Sequence, residues 1–123
     1  MPDAATVAYQ YATSWMRCDR AAAREAIAPD AEIEWNLGLP VDDEELVQTQ
    51  HRIAAFADRI TLTSSVYAGD RAAFVYDCRA PFGTVRLAEF LTVDDEGLIT
   101  EIRQAWDLTA LRWFVPGILD DVT

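Results

Sequence analysis

Basic residues, histidine and glycine are scarce in this chain of 123 residues. The 10 arginine and lysine residues stand against 21 acidic ones, and the formal net charge is −11. Phosphate backbones and anionic membrane surfaces are bound by basic patches, so we expect neither nucleic acid nor a membrane as a partner. The single histidine, His51, falls on the half-exposed flank of a predicted helix and no nucleophilic serine motif accompanies it. A catalytic triad is therefore not expected.

Motifs for metals and cofactors are missing too. Cys18 and Cys78 have a separation that fits no metal or redox motif. We expect both thiols to be buried and reduced, and only their geometry can exclude a disulfide. The chain has no spaced cluster of metal ligands, and its five glycines form no phosphate-binding loop. The sequence therefore predicts a protein without a metal or another cofactor.

Long apolar runs are also absent. No stretch approaches the ~20 residues that span a bilayer, and the first ten residues lack the charged and apolar regions of a signal peptide. Hydrophobic residues nevertheless make up 51% of the chain, which is typical of globular proteins. We expect one domain over residues 1–123, located in the cytoplasm.

Helical spacing dominates the first part of the chain. A helix over 4–18 is indicated by apolar residues three or four positions apart, namely Val7, Tyr11, Trp15 and Cys18. Asp19 can cap a second, alanine-rich helix over 20–27, which Pro29 and Asp30 are expected to end.

A short strand and a third helix are predicted next. The strand is Ala31–Trp35, and residues 36–40 form a loop. Asp42 and Asp43 offer an N-cap for a helix that runs to about Ala57. Its buried face is expected to contain Leu46, Ile53 and either Phe56 or Ala57.

From residue 60 the apolar period changes from about 3.6 to 2. Four strands separated by short turns are predicted, namely Ile60–Tyr67, Arg71–Ala80, Thr84–Val93 and Leu98–Asp107. Strands joined by such turns pair antiparallel. Helices followed by a meander predict an α+β domain: a cone-shaped, strongly curved antiparallel sheet wrapped around the N-terminal helices, with an apolar pocket.

One carboxyl interrupts an apolar strand face. The odd positions of the third long strand share one side of the sheet, and they are Val85, Leu87, Glu89, Leu91 and Val93. A buried carboxylate is costly, so Glu89 must find an ion partner, accept several hydrogen bonds or hold its proton through a raised pKa. It is therefore a candidate general acid or base. The alternative is a structural glutamate that pairs with an arginine or reaches the rim.

Other side chains are candidates for the same pocket. Tyr11 needs a partner for its hydroxyl if it is buried, and Tyr76 is either a core residue or a neighbour of Glu89. Asp107 either caps a helix in the tail or serves as a second acid. Glu34 has the opposite parity to Trp35 and is expected at the surface. Expected substrate-binding residues are Trp15, Trp35, Asn36, Phe74, Tyr76, Leu87, Leu91 and Trp106.

Three segments carry a resemblance to a known family. They are YQYATSWMRCDRAAAREAIAPDAEIEW, HRIAAF and AEFLTVDDEGLITEIRQAWDLTAL, the last of which is similar to the family's closing hairpin. Over about residues 4–115 the chain resembles the nuclear-transport-factor-2-like superfamily in its SnoaL-like branch. That superfamily includes ketosteroid isomerases, limonene-epoxide-hydrolase-like enzymes, polyketide cyclases, dehydratases and non-catalytic dimeric binding domains.

The isomerase pattern implies roles for two residues. Tyr11 matches the oxyanion tyrosine of the first helix, and Glu89 matches the protonated strand aspartate beside it. The position of the general base holds Trp35, which argues against steroid isomerisation by the same mechanism.

The epoxide hydrolase pattern is incomplete as well. Glu89 and Asp107 match the two acids that flank the nucleophilic water, and Asn36 matches the asparagine. The arginine position holds Leu87, and the tyrosine position holds Glu34.

The resemblance and the strand pattern together predict a small-molecule enzyme that uses acid–base catalysis in an apolar pocket. Its reaction would be of the isomerase, cyclase, dehydratase or epoxide hydrolase type, on a hydrophobic polyketide- or terpenoid-like substrate. Glu89 would be the acid or base, assisted by Tyr11 and Asp107. The alternative is a non-catalytic ligand-binding or dimerisation domain. The mixed outer face of the sheet, with Phe90 and Val75, predicts a homodimer.

Overall fold

A computed structural model describes residues 3–35, 39–81 and 83–106, so Asn36 and Asp107 lie outside the described residues. Within these ranges, three helices and six strands form the α+β architecture that the sequence predicts. The elements are α1 Ala4–Met16, α2 Arg20–Glu25, β1 Ile27–Trp35, β2 Leu39–Pro40, α3 Asp43–Phe56, β3 Arg59–Ala68, β4 Arg71–Ala80, β5 Gly83–Val93 and β6 Ile99–Trp106.

An aspartate caps the N-terminus of each described helix. The side chain of Asp3 accepts a hydrogen bond from the backbone N–H three residues later, at 2.7 Å, and Asp19 and Asp42 do the same at 3.1 and 2.7 Å. Such caps satisfy N–H groups that the first helical turn leaves free, and each stabilises its helix by about 1 kcal/mol. The predicted helix starts at Asp19 and Asp42 are confirmed.

The ends of the first two helices were predicted too late. Helix α1 stops at Met16 because Cys18 takes a left-handed conformation with φ of 62°. Helix α2 stops at Glu25, and β1 already begins at Ile27, so Pro29 lies inside a strand. The register between β1 and β6 shifts just there, between Ile27 and Glu32, and strand prolines are tolerated at such irregularities.

The end of α3 decides between the two residues expected on its buried face. Phe56 is 64% exposed, whereas Ala57, the C-cap, packs against the core. The chain turns to an extended conformation at Ala57, and this turn leaves the last helical side chain outside.

The six strands form one sheet in the order β2-β1-β6-β5-β4-β3. The strands β3 to β6 are an antiparallel meander, as predicted. Strand β1, however, pairs parallel with β6, so the sheet is mixed rather than wholly antiparallel. No turn connects β1 to β6, and the direction of their pairing is therefore not set locally. Register shifts in β1, β3 and β5 interrupt the ladder, and such bulges bend strands.

The helices cover one face of the sheet, and the core lies between the two layers. On β5 the inward side chains are at most 3% exposed: Val85, Leu87, Glu89, Leu91 and Val93. They share one core with the stripe of α1, where Val7, Tyr11 and Trp15 are buried, and with Leu46 and Ile53 of α3. Among the described helices, none has the length and apolar character that a membrane span requires.

Candidate functional site

A row of inward-facing residues crosses the centre of the sheet. Pairing places Phe74 of β4 beside Glu89 of β5, and Glu89 beside Gln104 of β6. On the other side of Gln104 lies Trp35 of β1. Because the residues two positions before and after Glu89 are leucines that enter the core, strand geometry carries the carboxyl inward with them.

Three hydrogen-bond donors converge on this carboxyl. The hydroxyl of Tyr11 donates to Oε2 of Glu89 at 2.7 Å, and the hydroxyl of Tyr76 donates to Oε1 at 2.7 Å. The side-chain amide of Gln104 donates to Oε2 at 2.6 Å. No ion pair between described residues includes Glu89. Neutral donors satisfy it, rather than the arginine that the structural alternative allowed.

A second layer of side chains contacts these donors. Nε2 of Gln50, on α3, donates to the hydroxyl oxygen of Tyr11 at 2.6 Å, and the indole of Trp106 donates to Oε1 of Gln104 at 2.8 Å. An indole N–H can only donate, so Trp106 fixes the amide of Gln104 with its NH₂ group towards Glu89. Gln50 has no such lock, because its Oε1 is buried without a hydrogen-bond partner.

Burial determines the direction of the pKa shifts in this cluster. Glu89, Tyr11 and Tyr76 are each 0% exposed. Burial raises the pKa of Glu89 because the carboxylate loses its water, and the three hydrogen bonds offset part of that rise. Burial, and after it the charge of Glu89, raise the pKa of both tyrosines well above their ordinary value. The phenols therefore keep their protons and remain donors at neutral pH.

The predicted binding side chains that the structure describes lie in the packed interior. They are between 0 and 7% exposed, and they are Trp15, Trp35, Phe74, Tyr76, Leu87, Leu91 and Trp106. Their inward orientation agrees with the strand and helix patterns. The interior is closed around Glu89, however, because neither this carboxyl nor its tyrosine partners reach the surface. The outward orientation of Glu34 is as expected, and its carboxyl lies 3.3 Å from Arg103.

A concavity of about 790 Å³ lies on the opposite face of the sheet. Cross-strand pairing aligns Val66, Ala73 and Phe90 in one row of this face. Val66 and Phe90 are 59% and 52% exposed. Around the row, the lining carries two charges of each sign: Arg71, Arg103, Glu34 and Glu101. Trp35 and Leu91, which the sequence assigned to the inner pocket, also border this concavity.

Sequence reasoning missed Gln50 and Gln104. Both show the pattern that predicted Glu89, in which one polar residue lies between apolar residues of the same face. Gln104 lies between the inward residues Ile102 and Trp106 of β6. Gln50 lies on the stripe of α3 between Leu46 and Ile53, at spacings of four and three.

The cysteines are free thiols. Cys78 is buried as expected, and burial raises its pKa to about 12. Cys18 is only partly buried, which corrects the expectation for that thiol and follows from its position beyond the end of α1. The described ranges contain no group of three or more histidine, cysteine, aspartate or glutamate residues that could hold a metal ion.

Helices packed on one face of a bent six-stranded sheet, around a buried hydrogen-bonded carboxyl, define a small α+β domain of the conical type. Comparison with solved structures identifies this architecture as the nuclear-transport-factor-2-like fold. A steroid delta-isomerase from Pseudomonas aeruginosa superposes with a TM-score of 0.77 at 14% identity, covering 99% of this chain and 95% of the other. An NTF2-like protein of unknown function from Mesorhizobium loti gives 0.70 at 26% identity, covering 87% and 97%.

A third similar structure, the candidate hydroxylase AclR from Streptomyces galilaeus, has a TM-score of 0.70 at 16% identity, and the match covers 89% of this chain and 92% of the other. No family model and no curated protein matches the sequence. The comparisons establish the fold, which is the one that the sequence resemblance predicts. A fold of this kind supports several reactions, so function must be argued from the site.

Proposed function

We propose that this protein binds a small hydrophobic molecule and acts on it by acid–base catalysis at Glu89, without a cofactor. The observation that carries the proposal is the convergence of two tyrosine hydroxyls, each at 2.7 Å, on a fully buried carboxyl. Burying a carboxyl without a cation is expensive, and proteins place such groups where a proton must be held or transferred. The isomerase fold neighbour supports this reading.

The chemistry requires Glu89 in its protonated form, which burial favours. A protonated Glu89 donates a hydrogen bond to a carbonyl or epoxide oxygen of the ligand, and the hydroxyl of Tyr11 donates a second one. Negative charge that develops on that oxygen is stabilised because the donors are fixed and water is excluded. One donor of this kind contributes roughly 10²- to 10³-fold in rate.

A second acid–base group is not part of the described cluster. The position of the isomerase base holds Trp35, so the described residues favour reactions in which a single acid polarises oxygen, such as cyclisation, dehydration or epoxide opening. We assign the assisting role to Asp107, next to Trp106 in the sequence, and substrate contact to Asn36, next to Trp35. The apolar side chains around Glu89 favour polyketide- and terpenoid-like molecules as its ligands.

Access to Glu89 requires a movement. Trp35 and Trp106 end β1 and β6, and they are 7% and 6% exposed, whereas Glu89 is 0% exposed. The ligand would reach the carboxyl by displacing one of these indoles and would then contact the inner row of the sheet. Its binding should therefore change tryptophan fluorescence.

A second candidate function is a non-catalytic binding or dimerisation domain with a structural Glu89. The closed interior favours it, since every hydrogen bond described for the carboxyl goes to another protein side chain.

A ligand screen on matched variants separates the two candidates. Wild type, Glu89→Gln and Glu96→Gln would be tested for thermal shift and tryptophan fluorescence against cyclic enones, aromatic polyketide-like ketones and terpenoid epoxides, with turnover followed by mass spectrometry. Glu96→Gln, which makes the same substitution at an exposed carboxyl in the turn before β6, serves as the matched control. Catalysis predicts that a compound is bound and converted by wild type and by Glu96→Gln but not converted by Glu89→Gln. Equal conversion by Glu89→Gln, or no response across all three classes, contradicts the enzyme proposal.

We also propose that the functional unit is a homodimer formed through the outer face of the sheet. Support comes from the exposed row of Val66, Ala73 and Phe90 and from the local charge balance around it. The lining contributes two arginines and two glutamates, in a chain whose net charge is −11. Two copies can therefore approach at this face with little repulsion, and a two-fold axis would place the apolar rows against each other.

A further inference from the structure

The amide of Gln50 has one bonded end and one unbonded end. Its Nε2 is 2.6 Å from the hydroxyl oxygen of Tyr11, whereas its Oε1 is buried without a partner. Gln50 is 1% exposed, so its carbonyl is shielded from bulk water. An acceptor left unpaired in the interior costs free energy, and native proteins leave few of them.

The arrangement of hydrogens around Glu89 depends on whether this carboxyl is charged or protonated. Tyr11, Tyr76 and Gln104 all donate to Glu89, which is the pattern of a carboxylate. A protonated Glu89 must instead donate to one of these three neighbours, and they differ in their ability to accept.

Gln104 and Tyr76 cannot accept a hydrogen bond from protonated Glu89 without losing a hydrogen-bond partner of their own. The NH₂ group of Gln104 faces Glu89, and Trp106 holds the carbonyl of that amide on the other side. The hydroxyl of Tyr76 donates to Glu89, and the described residues offer its hydrogen no second acceptor.

Tyr11 is the neighbour that can accept. Its own hydrogen must then point to Gln50, where Nε2 cannot receive it. Rotation of the Gln50 amide by half a turn exchanges Oε1 and Nε2 with almost no change in shape. The carbonyl then accepts from Tyr11, Tyr11 accepts from Glu89, and the NH₂ group takes the position of the unpaired oxygen.

We propose that Gln50 is a positioning residue whose amide orientation is coupled to the proton on Glu89. With the NH₂ group towards Tyr11, the cluster holds a carboxylate, and with the carbonyl towards Tyr11, it holds a carboxylic acid. Gln50 donates a hydrogen bond to Tyr11 and would act on Glu89 only through it. A role of this coupling in catalysis therefore rests on the proposed function. The coupling itself is a property of the folded protein and can be measured without substrate.

The groups that face Glu89 are few. Helix α1 contributes Tyr11 and β4 contributes Tyr76, both of which keep their protons because burial raises their pKa. Strand β6 contributes Gln104, and α3 contributes Gln50 with His51 next to it in the sequence. Among these described groups, Glu89 is therefore the one whose charged and protonated states are compared, and burial raises its pKa above the ordinary value.

The near-isosteric variant Gln50→Met tests the coupling, because the proposal predicts whether the pKa of Glu89 rises or falls in this variant. The pKa of Glu89 would be measured by NMR of carboxyl-labelled protein. Without Gln50, the acid form leaves the hydrogen of Tyr11 without an acceptor, whereas the carboxylate form leaves only a spare lone pair. We expect the pKa of Glu89 to fall by roughly half a unit to one unit. The control Gln104→Met removes a fixed donor to the carboxylate and should raise the pKa. A rise or no change in Gln50→Met overturns the proposal.

A second measurement uses the wild-type protein and does not depend on the folding of a variant. The side-chain amide resonances of Gln50 should shift with the same midpoint as the Glu89 carboxyl, and crystals grown below that midpoint should show, at atomic resolution, Oε1 within hydrogen-bond distance of Tyr11. A carboxyl that stays charged down to acid unfolding, or an amide that keeps Nε2 on Tyr11 while Glu89 is protonated, overturns the proposal. Failure of the ligand screen alone would instead remove the catalytic role and leave this coupling intact.

Discussion

The hydroxyl of Tyr11 lies 2.7 Å from Oε2 of Glu89, although 78 positions separate the two residues in the sequence. This bond joins helix α1 to the central strand of the inner row, so it connects the two layers of the fold. The same bond helps to decide where the proton of Glu89 lies. Changes to Tyr11 should therefore affect both the stability of the fold and the titration of Glu89.

Replacement of Tyr11 by phenylalanine tests both effects at once. We expect the free energy of unfolding at neutral pH to fall by about 1–3 kcal/mol, because a buried acceptor loses its partner. The pKa of Glu89 should rise further, since a hydrogen bond to a charged carboxylate is stronger than one to a carboxylic acid. Urea unfolding and carboxyl-resolved NMR measure the two changes. Tyr9→Phe is the control, because Tyr9 is 51% exposed on the same helix. Equal effects of the two substitutions would contradict the role of the bond.

The raised pKa of Glu89 also predicts how stability depends on pH. Between the unfolded value, 4.5, and the higher folded value, the native state holds the proton more tightly than the unfolded chain. The stabilisation is fully present below the unfolded value and is lost as pH rises through the folded value. Relative to Glu89→Gln, wild type should therefore lose stability with rising pH, by at most about 1.4 kcal/mol per pH unit. Thermal or urea unfolding from pH 4 to 8 measures this difference.

Glu96→Gln provides the reference for that series, because it makes the same substitution at an exposed residue in the turn before β6. A difference between wild type and Glu89→Gln that is flat across the same range would show that Glu89 titrates as it does in the unfolded chain.

Local patterns predicted Glu89 because side-chain direction in a strand is set by parity alone. The alternation around residue 89 fixes which way its carboxyl points, whatever the neighbouring strands do. The same logic, applied to α3 and β6, would have found Gln50 and Gln104, whose flanking apolar residues place them inside. Their contacts with Tyr11 and Glu89 follow only once α3 and β6 are packed against the same core.

Local sequence patterns could not predict the pairing of strands that are far apart in the chain. The parallel alignment of β1 with β6 joins segments that no turn connects, and it places Trp35 beside Gln104. At Pro29 the sequence pattern predicts the end of a helix, whereas a register shift accommodates this proline within β1. The closed interior around Glu89 reflects the fit of whole side chains and has no periodic signal.

The two thiols should differ widely in reactivity. With a pKa of about 12, Cys78 would carry a thiolate fraction of about 10⁻⁴ at pH 8, and its burial restricts access further. An aromatic disulfide reagent should therefore modify one thiol in the native protein, at Cys18, and both after unfolding. In Cys18→Ser, native labelling should become at least roughly a hundredfold slower. Rapid labelling of Cys78 in this variant would show that the core opens around β4.

The dimer proposal makes a prediction at Phe90, the aromatic residue at the β5 end of the exposed row. Wild type should sediment at twice the 13.8 kDa mass of the chain, and Phe90→Glu should raise the dissociation constant by roughly thirtyfold or more, as the loss of a large apolar interface side chain does. Tyr9→Glu is the matched control, because it adds the same charge at a residue that is 51% exposed, against 52% for Phe90. Sedimentation across micromolar concentrations distinguishes the outcomes. A wild-type monomer, or equal weakening by both substitutions, would exclude this face as the interface, since only one of the two side chains lies on it.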